Sequence, residues 1–165
     1  MHTRDFSNKS QRGFSMIEIL VTLVIVATAL LGTAGLQLYA MRVNQGGQFR
    51  TQAIFLASDI AERMEANKQE AVNGSYVLAN TTAPDALSTA CQANACSTAN
   101  LAIYDLNQWG NSVAALLPQP SWQVTQTTAG NPSTYTIVIS WTDRSTDKAS
   151  HGETFSYTAT RTIGI

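Results

Sequence analysis

Residues 14–41 read FSMIEILVTLVIVATALLGTAGLQLYAM, the longest apolar run in the chain. Glu18 is the only charged residue between Arg12 and Arg42. The 23 residues between Glu18 and Arg42 would rise about 35 Å as an α-helix, against a bilayer hydrocarbon core of about 30 Å. The stretch therefore reads as a membrane-spanning helix. Arg4, Lys9 and Arg12 precede it, so the positive-inside bias places residues 1–13 in the cytoplasm and the rest of the chain across the membrane. An ordinary secretory signal has a shorter apolar core followed by a small-residue cleavage site, which this chain does not show. A plain signal anchor leaves Glu18 unexplained. A carboxylate in an apolar helix is costly, and either snorkels to the interface or finds a partner.

The segment Gly13-Phe14-Ser15-Met16-Ile17-Glu18 resembles the processing motif of type IV prepilins and pseudopilins. The resemblance implies that a prepilin peptidase cuts between Gly13 and Phe14 and that Phe14 is then N-methylated. Residues 1–13 are then a leader, and Glu18 is the fifth mature residue. There it could pair with the new ammonium of Phe14 on a neighbouring subunit, which would set the axial register of one helix against the next. Gly32 and Gly35 within the span fit close helix packing by small residues. The family also implies local melting of this stretch on assembly, which in many members a Pro assists; this span has none.

The remainder differs in kind. Most aliphatic residues lie in the N-terminal block, and the rest of the chain is rich in Ala, Ser, Thr, Asn and Gln. At 165 residues the chain has room for one small domain beside a long helix. Without the leader it carries seven Lys/Arg against ten Asp/Glu, and no basic stripe lies beyond the span. The sequence thus shows no electrostatic grip on nucleic acid. Cys91 and Cys96 are two free thiols or, in an oxidising compartment, a small-loop disulfide worth less than the roughly 3 kcal/mol of a 15-residue loop.

After Arg42 the helix is expected to continue, broken or bent near Gly46-Gly47. Ala53, Leu56, Ile60 and Met64 then recur at spacings of three and four, opposite Asp59, Glu62, Arg63, Glu65 and Lys68. Asn73-Gly74 marks the end. A short strand is expected at Tyr76-Val77-Leu78. A second helix is expected from Asp105, as N-cap, to Leu117, with Leu106, Trp109, Val113 and Leu116/Leu117 on one face and Pro118 as its stop. Strands are then expected at Trp122–Thr125, Thr134–Thr142 and Thr154–Ile163, the last two pairing as a hairpin over a polar 143–153 turn. The fold class is α+β: a long N-terminal helix, membrane-spanning then amphipathic, packed on a small C-terminal antiparallel sheet. The domains are a 1–13 leader, a 14–41 transmembrane and assembly helix, and a 42–165 globular domain.

Asp105-Leu-x-x-Trp109, then Leu116-Leu117-Pro118, then Ile139-Ser-Trp141 resemble the minor pilins of the type IV pilus modification (PilV) subfamily. That subfamily commonly has glycines after the Pro, where this chain has Gln119-Pro120-Ser121. The resemblance implies a structural subunit, not an enzyme, and no cofactor. It would be held in the inner membrane with its domain in the periplasm, then incorporated in a pilus. Its implied partners are other minor pilins, the major pilin, prepilin peptidase, the inner-membrane assembly machinery and the lipid bilayer. A pseudopilin of a type II secretion system and a signal-anchored periplasmic enzyme or binding module are the alternatives. Catalytic motifs do not support the last. No Gly-x-Ser-x-Gly elbow or phosphate-binding loop occurs, and His2 and His151 lack ligands at metal spacing. Asp143, Asp147 and Glu153 read as a solvated hairpin loop more readily than as a calcium site.

Overall fold

The computed structural model describes residues 13–82, 90–93, 95–143 and 152–165. Leader residues 1–12, with His2, lie outside them, as do Asp147 and His151 of the hairpin loop. The described elements are helix α1 (Met16–Ala66), helix α2 (Lys68–Val72), strand β1 (Leu78–Thr81), helix α3 (Ala90–Ala93), helix α4 (Thr98–Leu116), and strands β2 (Ser121–Thr128), β3 (Ser133–Asp143) and β4 (Glu153–Ile163). The chain divides into two units, Met1–Met41 and Arg42–Ile165.

Helix α1 runs unbroken through Gly46 and Gly47, contrary to the break expected there. Two glycines weaken a helix by about 1 kcal/mol each, which does not suffice to end one flanked by helix-forming residues. A Cβ at Gly46 would lie 3.1 Å from Asp143 Oδ2, so Gly46 makes room for the end of β3. The helix ends instead at Ala66, where Asn67 leaves helical space with φ −120° and ψ 52°. The buried Asn67 amide donates to the Thr98 carbonyl at 2.8 Å and to Tyr76 Oη at 3.2 Å. Helix α2 then carries the chain to Asn73-Gly74, the expected stop.

Two further boundaries differ from expectation. Tyr76 lies in a turn, fully buried, and β1 begins two residues later at Leu78. Its side chain is drawn into the core by its hydroxyl partners. Helix α4 begins seven residues before Asp105, capped by Ser97, whose hydroxyl accepts from the Asn100 amide at 3.3 Å. Asp105 is therefore not an N-cap. Leu106, Trp109, Val113 and Leu117 are buried as expected, but Leu116 is exposed. The chain leaves α4 through Pro118 into Gln119, which holds φ +44°. This is the left-handed region that favours glycine.

The sheet is a meander, β1-β2-β3-β4, with every neighbouring pair antiparallel. Strand β3 alternates strictly: Ser133, Tyr135, Ile137, Ile139 and Trp141 are buried and the residues between them are not. Period-two patterning on a one-sided sheet demands this. Residues Ala53, Leu56, Ala57, Ile60, Ala61 and Met64 of α1 join Trp109 and Val113 of α4 and the inner face of the sheet in one core. Gly110 lets α4 approach β2, since a Cβ there would lie 3.2 Å from the Trp122 indole nitrogen. Trp109 Nε1 donates to the Leu56 carbonyl at 2.8 Å, tying α4 to α1.

Candidate processing and assembly segment

Gly13, Phe14 and Ser15 precede the first helical residue and have no regular structure. A Cβ on Gly13 would meet nothing within 4 Å, and Phe14 is 80% exposed. Gly13 and Phe14 are thus exposed at the helix entrance. The Ser15 carbonyl accepts from the Glu18 amide at 3.0 Å and the Ile19 amide at 3.3 Å, which closes the first turn. Glu18 sits in that turn, at the positive end of the helix dipole, where a carboxylate is favoured.

Between Glu18 and Arg42 the helix carries no charge, and its large apolar side chains are exposed. An 18-residue window of it has a mean hydropathy of 2.4, with none of its residues buried within the chain. Its three threonine hydroxyls are spent locally. Thr22 Oγ1 donates to the Ile19 carbonyl at 2.8 Å, Thr28 Oγ1 to Ile25 at 2.9 Å, and Thr33 Oγ1 to Leu30 at 2.9 Å. Hydroxyls satisfied by their own helix do not need water, so they do not bar the segment from hydrocarbon. Among the described residues it is the one helix long and apolar enough to cross a membrane.

The folded unit is held by polar contacts that the linear pattern did not reveal. Arg63 of α1 contacts Asp59 at 3.0 Å, Asp105 at 3.1 Å and Gln108 at 2.6 Å. Tyr76 Oη donates to the other oxygen of Asp105 at 2.7 Å. Asp105 thus joins α1, α4 and the turn before β1. Burial, then the Asp105 carboxylate, push the Tyr76 phenol well above its ordinary range, so it stays a neutral donor. Burial works against the Arg63 charge, but its bonds to Asp59 and Asp105 prevail and raise its pKa. The available signal was a carboxylate on the same helical face as Trp109, four residues on. An acid on an apolar stripe needs an internal partner. Cys91 and Cys96 are joined in a disulfide, Cα atoms 5.2 Å apart, just before α4. Asp143 and Glu153 face each other across β3 and β4.

Two family models match adjoining parts of the chain. Residues 8–34 match the prokaryotic N-terminal methylation motif, and residues 35–107 match the family described as type IV pilin Tt1218. No curated protein and no solved structure matches the chain. The methylation motif and the apolar helix together support membrane anchoring. The long helix with its four-stranded antiparallel sheet is the type IV pilin arrangement, and the two matches support the type IV pilin superfamily for this chain.

Proposed function

We propose that the chain is a minor type IV pilin, a structural subunit that promotes pilus assembly or function and most resembles the PilV subfamily. The observation that carries this reading is the junction at residues 13–18: an exposed Gly13-Phe14 pair, then a lone carboxylate at Glu18, then a helical stretch that stays uncharged to Met41. Prepilin peptidase cleaves that bond from the cytoplasmic side and methylates Phe14. The leader's cations keep it in the cytoplasm, and the 42–165 unit faces the periplasm.

Cleavage creates an ammonium at Phe14 within reach of a neighbour's Glu18. Two charges that would each be costly in hydrocarbon then neutralise one another, and the pairing fixes helix register. The subunit waits in the inner membrane and leaves it for the filament beside the major pilin and other minor pilins. Asp105-Leu-x-x-Trp109 and Trp141-Thr142-Asp143 favour the pilus over a secretion pseudopilin. The test is mass spectrometry of the protein purified from its own cells. The expected N-terminus is N-methyl-Phe14. A retained Met1, or a cut after the apolar run, overturns the proposal.

A further inference from the structure

The two edges of the sheet differ. Strand β1 is four residues long and its pairing with β2 shifts register. Strand β4 is eleven residues long and pairs with β3 without interruption, so its outer edge presents an ordered row of backbone donors and acceptors. Proteins usually guard such an edge with charge, Pro or a bulge. Between Glu153 and Arg161, β4 reads Thr-Phe-Ser-Tyr-Thr-Ala-Thr, with none of these.

We propose that this edge pairs antiparallel with the same strand of a second copy, about a two-fold axis at Tyr157. The sequence is self-complementary about that residue. Tyr157 meets Tyr157, Ser156 meets Thr158, Phe155 meets Ala159, Thr154 meets Thr160, and Glu153 meets Arg161, each of the last four twice. Side chains opposite one another in a ladder share a face, so both Glu153–Arg161 contacts form on the core side. Within one chain Glu153 instead lies opposite Asp143, a like charge. Among the described residues neither Glu153 nor Arg161 has an ion pair.

Shape supports the same register. A groove of about 210 Å³ runs along the edge, lined by Ala57, Ser58 and Ala61 of α1 and by Tyr157, Ala159 and Arg161 of β4. Opposite Ala159, the incoming Phe155, 39% exposed in the single chain, would cover this groove. The two-fold axis is normal to the sheet, so the α1 segments packed on it run in opposite directions in the two copies. The contact joins two copies of this chain through their sheets, and it does not depend on the pilus reading.

The test uses the full chain in detergent micelles, which leave orientation free. Oxidation of the Tyr157→Cys variant is expected to give a disulfide-linked dimer, and oxidation of Thr125→Cys on β2 is not. In sedimentation, Glu153→Arg and Arg161→Glu are each expected to weaken association about tenfold, and the double charge swap to restore it. Both residues are exposed, so the fold is unaffected. A double swap no better than the single variants overturns the proposal. So does a wild-type chain that never associates, or equal cross-linking at residues 157 and 125.

Discussion

Residues 19–41 and residues 53–64 belong to one helix, yet they answer to different solvents. In the first segment the large apolar side chains are exposed on every side. In the second, Ala53, Leu56, Ala57, Ile60, Ala61 and Met64 form one buried stripe, and charge occupies the opposite side. Backbone geometry is the same. The first segment has no face that water would tolerate, so it requires lipid or other helices. The second has an apolar face matched to a sheet, so it requires a folded domain.

The second segment is where the contrast is most vulnerable. Trp109→Ala removes a fully buried indole and its bond to the Leu56 carbonyl. It should cost the folded unit about 3–5 kcal/mol. Urea unfolding followed by the fluorescence of Trp122 and Trp141 measures this, and a loss below about 1 kcal/mol would show that α4 is not part of the α1 core. The same substitution should leave membrane insertion unchanged.

The converse experiment places a charge in the first segment. Ile25→Arg should disfavour insertion by about 3–4 kcal/mol on translocon scales, read by the fraction of chain resisting alkaline extraction. The unfolding midpoint of the sheet-containing unit should not move. If it does move, the two segments are not energetically separate.

Glu18→Ala is milder. Insertion and cleavage should proceed, while incorporation into sheared filaments, measured by immunoblot, falls clearly below wild type. Unimpaired incorporation would remove the register role of Glu18.

The smallest expected effect is on pH. Glu70 accepts from Ser75 Oγ at 2.6 Å and from Thr98 Oγ1 at 2.8 Å, which lowers its pKa below its ordinary 4.5. A lowered folded pKa means that the stabilisation is present above about pH 4.5 and is lost as pH falls below it. Glu70→Gln should therefore shift the urea midpoint at pH 7 and leave it nearly unchanged at pH 3. Equal shifts at both pH values would show that the bonds to Ser75 and Thr98 contribute no pH-dependent stability.

Much of this protein was legible in the amino-acid sequence because its signals are local. The processing motif occupies six consecutive residues. A spanning helix is a matter of length and composition. The strands of the main hairpin declare themselves by alternation, and Tyr135, Ile137, Ile139 and Trp141 all point inward as that alternation requires. Tertiary structure alone fixes the places where a partner lies far along the chain. Asp105 looks like a helix cap when read with its neighbours. Arg63, 42 residues away, and Tyr76, 29 away, make it a buried junction. Gly46-Gly47 looks like a break until the end of β3 comes to rest against it. Asn67 ends α1 because it bonds to Thr98 across 31 residues. Propensity and period describe a residue's fit to its own element. Which polar group compensates another in a core, and which glycine yields space to a distant strand, are settled only when the elements pack.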